Sequence, residues 1–182
     1  FSIIPLFFIT EPRHLEQSII DNLSNTASTT KTQWGELFKI YFAHAFSWLG
    51  IQTMFVYSFA FLEQRFNVND AQYLGQIIGW MFFILNAVGS LFPIFFLEPL
   101  SRKIGRVKTH YLSLLTMSLG YFLIAFYVRS PQEMYAVFIL LSLGWAAVVS
   151  LPFAIMTEKV AKNKTGFFMG IFNLSVVLPQ LV

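Results

Sequence analysis

Polar and aromatic side chains recur at helical spacing inside the long apolar stretches of this chain. His44, Trp48 and Gln52 follow one another at intervals of four residues, so they line one stripe of a helix. Polar side chains in an apolar stretch are costly and usually face a bundle interior or a water-filled cavity. Amides both donate and accept hydrogen bonds, and flat rings stack on sugar faces. The stripe therefore favours a neutral, hydroxylated ligand.

Two further apolar stretches have a polar stripe of the same kind. In one of them Gln76, Asn86 and Ser90 share a helical face, and in the other Asn173 and Gln180 do. Three helices that each offer one such stripe could enclose a polar cavity. We predict a substrate site that is formed by six side chains: His44, Trp48, Gln52, Asn86, Asn173 and Gln180.

Each of these stripes also has a purely structural interpretation. His44 could be a satisfied interhelical hydrogen-bond donor, and Asn86 could join two helices. Trp48 could be an interface or packing aromatic. The Gly166-x-x-x-Gly170 spacing marks close helix packing more readily than a ligand site. No Asp or Glu lies deep in a complete apolar run, so His44 is the one titratable candidate that we expect at depth.

The elements that must position these residues are long apolar runs. Hydrophobic residues make up 56% of the 182 and charged residues 12%, and the mean hydropathy is +0.63. A bilayer-spanning helix needs about 20 mainly apolar residues, and helices satisfy the backbone groups that lipid cannot. We therefore predict an all-α membrane protein. Its expected spans are 38–62, 73–97, 111–128, 134–156 and 166–182.

The two ends of the chain lie inside apolar runs. Residues 1–10 are too few to span, so we predict the end of a truncated transmembrane helix. Residues 11–37 are rich in Ser, Thr and Asn and are predicted to form a cytoplasmic loop, before a helical bundle over 38–182. We expect an internal fragment of a longer, multi-pass protein.

The basic residues indicate an orientation. Seven Lys and Arg residues lie in two connections, 102–108 and 158–164, together with one acid, Glu158. The connections that alternate with these two, on the opposite side of the membrane, are near neutral. The positive-inside rule therefore places the two basic connections on the cytoplasmic side, which fits a protein of the plasma (inner) membrane. The basic clusters are short and topology explains them, so we predict no nucleic-acid partner.

Several classes of chemistry have no support in the sequence. There is no Cys, which excludes a disulfide framework and a thiolate metal site. There is no H-E-x-x-H motif and no pair of carboxylates within a span. We therefore predict no enzyme activity, no metal site and no cofactor.

Three stretches resemble the C-terminal half of a major facilitator superfamily transporter, in the sugar/cation symporter branch of sucrose–proton and glycoside carriers. The stretch 100–108 (Leu-Ser-Arg-Lys-Ile-Gly-Arg-Val-Lys) is similar to the superfamily's cytoplasmic loop signature, D-R-x-G-R-[RK]. The stretches 144–155 and 166–180 resemble the tenth and eleventh spans of these carriers. The resemblance covers nearly the whole chain.

The loop stretch departs from its signature at two positions. Arg102 stands where the family has an acid, and Val107 stands where it has a cation, whereas Lys103, Gly105 and Arg106 match. The resemblance implies a gating role for Arg102, Lys103, Gly105 and Arg106. Plain anchoring by the positive-inside effect is the alternative for each cation.

The resemblance also implies an architecture and a function. The chain would run from the end of span six through span eleven of a twelve-helix bundle, with a central site shared between two six-helix halves. The implied function is proton-coupled symport of a sugar or glycoside by alternating access. The partners would be the sugar, a proton or other cation, the lipid bilayer and the missing N-terminal half. The alternatives are a transporter-like membrane solute sensor and a carrier of a non-sugar solute.

Overall fold

The computed structural model describes residues 32–161 and 164–181, and these residues form helices without any strand. The predicted helix end at 1–10 and residues 11–31 of the predicted 11–37 loop lie outside the described residues, whereas 34–37 of that loop belong to the first helix. The six α-helices are α1 Trp34–Phe66, α2 Ala71–Phe92, α3 Glu98–Ile104, α4 Arg106–Phe126, α5 Glu133–Lys159 and α6 Thr165–Gln180. The prediction of an all-α fold is confirmed.

Four helical stretches have the length and apolar character needed to cross a bilayer. They are Trp34–Phe66, Ala71–Ile104, Arg106–Phe126 and Glu133–Lys159, and α6 is a shorter apolar helix. Large apolar side chains cover much of the surface, and Phe38 and Phe126 are 67% and 69% exposed. An apolar surface of this extent suits lipid and not water.

Local sequence explains where the helices start and stop. Asp70 caps α2, because its carboxylate accepts hydrogen bonds from the main-chain nitrogens of Gln72 at 2.9 Å and Tyr73 at 3.1 Å. Asn67 ends α1 in the left-handed conformation, with a φ of 52°. Gly105 separates α3 from α4 at a φ of 90°, which a side chain would strain.

A short π-helical segment joins α2 to α3. This segment, Pro93–Leu97, begins at a proline, whose ring nitrogen cannot donate a hydrogen bond. A π-turn within an α-helix widens it locally and often lies at a functional site. Helix α3, which carries Glu98 and Arg102, is therefore attached to α2 through an irregular turn.

Helix α5 lies at the centre of the bundle. It packs against α4, α2 and α1, while α6 packs mainly against α1. Close approach depends on small residues. A Cβ on Gly120 would meet the Leu141 side chain at 2.6 Å, and one on Gly144 would collide with Met117. Phe138 and Leu141 are fully buried at this interface.

The end of the bundle that carries the basic connections is held by three contacts between segments. An ion pair joins Arg106 to Glu158, across the α4–α5 interface. The main-chain nitrogen of Gln33 donates to the carbonyl of Lys159 at 3.0 Å, so the start of α1 is attached to the end of α5. The hydroxyl of Thr32 accepts a hydrogen bond at 3.3 Å from the main-chain nitrogen of Ala161, which lies just after the end of α5.

Candidate functional site

His44 and Trp48 form a hydrogen-bonded pair on the inner face of α1. The indole Nε1 of Trp48 donates to Nε2 of His44 at 3.0 Å, across one helical turn. His44 is only 2% exposed, whereas Trp48 is half-buried. The predicted spacing therefore does bring these two residues together, and it directs the imidazole into the bundle.

The pair belongs to a cluster of rings that joins three helices, which we name the aromatic cluster: His44, Trp48, Phe55, Trp145 and Phe172. His44 stacks on Phe172 of α6, with 4.5 Å between ring centroids and 16° between planes. Trp48 and Phe55 both meet Trp145 of α5 edge-on, at 5.9 Å and 5.7 Å. The cluster therefore links α1 to α5 and α6.

A second histidine lies near the first. His110 of α4 interacts electrostatically with His44 and lies within hydrogen-bonding reach of the main chain of Ala147 in α5. Its Nδ1 is buried and has no hydrogen-bond partner among the described residues. The sequence analysis considered His44 alone, because the apolar run begins at Tyr111, whereas α4 begins at Arg106 and therefore includes His110.

A helical pattern in the sequence could have pointed to His110. The buried positions of α4 are Thr109, Ser113, Met117 and Gly120, which recur at intervals of three or four residues. The pattern starts at Thr109, one residue before His110, so the packed face of α4 begins earlier in the chain than the apolar run does. Reading small and polar residues as part of this face would have included the histidine.

The other four predicted substrate residues lie on more open faces of three helices. Gln52 is half-buried, one turn beyond Trp48 on α1. Asn86 is exposed on α2, and its amide donates to the carbonyl of Phe82 at 2.8 Å. Asn173 and Gln180 are exposed on α6.

The open faces of α2 and α6 carry glycines beside the amides. A Cβ added at Gly75 or Gly79 of α2, or at Gly166 or Gly170 of α6, would meet nothing within 4 Å among the described residues. Both faces therefore offer room for an approaching group, at Gly170 one turn from Asn173 and at Gly79 two turns from Asn86. Either a ligand or another helix could occupy this room.

Three of the four predicted gating residues, Arg102, Gly105 and Arg106, line a cavity of about 710 Å³ beside the π-helical segment. Arg102 pairs with Glu98 at 2.6 Å, and Arg106 pairs with Glu158. Lys103 is exposed and lines a separate cavity of about 420 Å³. Sequence reasoning anticipated the basic residues, but not that each of these two arginines has its own carboxylate.

Comparison with known families identifies the chain. The model of the Major Facilitator Superfamily matches residues 1–182. The chain belongs to the major facilitator superfamily. This facilitator is thus an integral, multi-pass membrane protein of a transporter family, and it acts on a small molecule at a lipid bilayer. Neither the curated proteins nor the solved structures include a significant match to the chain.

The family match confirms the coarser part of the sequence predictions. The superfamily, the transporter class and the membrane location follow from it. Members of this superfamily move solutes and in general do not transform them. Among the described residues, no group of three or more His, Asp or Glu side chains could hold a metal ion. The sugar and the coupled cation remain predictions.

Proposed function

We propose that this facilitator carries a sugar or glycoside together with a proton across the plasma (inner) membrane, by alternating access. The observation that carries the proposal is the pair of polar faces on α2 and α6. Exposed Asn86 and Asn173 share these faces with Gly79 and Gly170, which have open space around them. An amide face in a membrane bundle needs a water-filled cavity or a protein partner, and a cavity lined by amides suits a hydroxylated solute.

The proposed roles of the substrate residues follow from their exposure. Asn86, Asn173 and Gln180 donate to and accept from sugar hydroxyls, because neutral amides do both. Gln52 and the accessible edge of the Trp48 ring contact the sugar from α1. His44 is buried, so it acts on the sugar through the hydrogen bond that orients Trp48.

The proposed gate consists of Arg102, Arg106 and their carboxylate partners around the 710 Å³ cavity. The side chains of Arg106 and Glu158 are 45% and 52% exposed, so solvent screens the pair. An exposed ion pair stabilises a structure by only about 0–1 kcal/mol. Such pairs suit a gate, because they can separate and form again in every transport cycle.

The experiment that tests the proposal is uptake by the full-length protein in proteoliposomes. We expect labelled sucrose or a glycoside to accumulate above its external concentration under an inward proton gradient, and accumulation to stop when a protonophore is added. Empty liposomes are the control. Failure to accumulate any sugar of a broad panel would contradict the proposal. Specific sugar binding without uptake would favour a solute sensor instead.

A further inference from the structure

The His44 ring has one nitrogen without a hydrogen-bond partner. Trp48 Nε1 can only donate, so His44 Nε2 provides its lone pair to that hydrogen bond, and the proton of the neutral ring lies on Nδ1. His44 Nδ1 is buried and has no partner among the described residues. Buried polar groups are almost always paired, and an unpaired one in a native structure indicates a role beyond stability.

His110 is the titratable side chain that interacts with His44 from the neighbouring elements. It belongs to α4 and interacts electrostatically with His44, and its own Nδ1 is also buried and unpaired within the described residues. The charged residues of α1 and α5 lie towards the ends of these helices, while α2 and α6 carry none. On α1, Tyr41 directs its hydroxyl away, to the carbonyl of Phe168 at 3.3 Å. The carboxylate of Glu158 pairs with Arg106, one turn before His110 on α4, and Glu36 pairs with Lys39. Both of these carboxylates therefore already have a cation as partner.

The surroundings of His44 can stabilise one positive charge. Its ring stacks on the face of Phe172 at 4.5 Å, and an aromatic face attracts a cation. Two interacting imidazoles, in contrast, resist carrying charge at the same time, because like charges repel. Repulsion therefore limits the pair to one bound proton at a time, and the Phe172 ring offsets part of the cost of burying that charge.

We propose that the His44–His110 pair is a proton-binding site, and that a proton bound at His44 Nε2 releases Trp48. The bound proton takes the lone pair that accepts from Trp48 Nε1, so an N–H bond forms on the imidazole and the Trp48 hydrogen bond is lost. Loss of the proton reverses both changes. The proposal deepens the proposed proton-coupled transport and depends on it for its biological role.

Movement of the released Trp48 ring would alter its contacts with the helices that carry the proposed sugar site. Trp48 meets Trp145 of α5 edge-on, and Trp145 in turn lies so close to Gly89 of α2 that a Cβ there would be 2.9 Å from its ring. A shift of the Trp48 ring therefore changes the packing between α1, α5 and α2. Protonation thereby biases the helix arrangement that opens or closes the site.

The first test measures tryptophan fluorescence of the full-length protein in nanodiscs, without sugar, between about pH 8 and pH 4, a range that includes the titration of a free imidazole and extends below it. We expect a reversible change that persists in Trp80→Phe, a control remote from the cluster, and falls by more than half in Trp48→Phe and His44→Gln. Glutamine can accept from Trp48 but does not titrate. An undiminished change in both variants would overturn the proposal. In His110→Gln we expect the midpoint to move, and an unmoved midpoint would contradict a paired site.

The second test separates coupling from movement of the sugar. In His44→Gln proteoliposomes we expect gradient-driven accumulation to fall at least about tenfold further than sugar counterflow does, because counterflow needs no coupled proton. Wild-type accumulation in this variant would overturn the proposal, and so would equal loss of both activities. If the wild-type protein moves no sugar at all, the proposed function fails, while the fluorescence titration still judges the proton site.

Discussion

At the scale of single residues, the structure divides the predicted substrate residues into two kinds. His44 and Trp48 point into the bundle and hold each other by a hydrogen bond. Asn173 and Gln180 lie on the open face of α6. The buried His44 acts through the protein around it, and Trp48 can meet a solute only at its accessible edge. The exposed amides can meet a solute directly. Substitutions should therefore have different effects in the two groups.

Replacing Asn173 or Gln180 with Ala should weaken sugar affinity about three- to tenfold, which is the effect of losing one hydrogen bond between neutral groups. Expression should stay normal, because both side chains are exposed. Concentration dependence of sugar uptake measures the change. Leu174→Ala, at an exposed apolar position of the same helix, is the matched control. Unchanged affinity in both amide variants would remove these residues from the site.

At the scale of helices, the close packing around α5 depends on small residues more than on polar contacts. Gly144 lies against Met117 with no space for a methyl group, whereas Gly79 on α2 has open space beside it. Within the described bundle, Gly144 is therefore tightly packed by a neighbouring helix, whereas Gly79 is not. They therefore separate the packing contribution of a glycine from its intrinsic effect on a helix.

Gly144→Ala should destabilise the bundle by about 1–3 kcal/mol, because the added methyl group forces Met117 and the α4–α5 interface to shift. Gly79→Ala should leave stability unchanged or raise it slightly, since Ala favours a helix over Gly. Thermal unfolding in detergent, followed by circular dichroism, compares the two. Equal stability of both variants would show that α4 and α5 are not packed as closely as the structure has them.

The positions of the helices could be predicted from the sequence better than which residues on each helix pack against its neighbours. Apolar runs indicated where α1 and α5 lie, because lipid demands about 20 apolar residues for each span. Hydropathy does not indicate where a helix continues into polar surroundings, so α4 began earlier than expected and His110 was missed. The stacking of His44 on Phe172 could not be predicted, because it depends on how α1 and α6 pack.

At the scale of the whole molecule, the account depends on a bundle that crosses the bilayer with its basic connections on one side. The chain has no Cys, so single cysteines can report this arrangement. We expect Lys103→Cys and Lys164→Cys to react with an impermeant maleimide from the cytoplasmic side alone. Asn67→Cys, in an intervening connection, should react from the opposite side. Labelling of Lys103→Cys and Lys164→Cys from opposite sides would contradict the predicted topology.

The central claim is that sugar and proton move together, and a pH-sensitive dye inside proteoliposomes tests it most directly. With no initial proton gradient and the membrane potential clamped, we expect external sugar to acidify the lumen of vesicles that contain the wild-type protein. In vesicles that contain His44→Gln, the sugar that enters should bring far less acidification per molecule than in wild-type vesicles. Sugar entry into wild-type vesicles with no movement of protons would contradict the account.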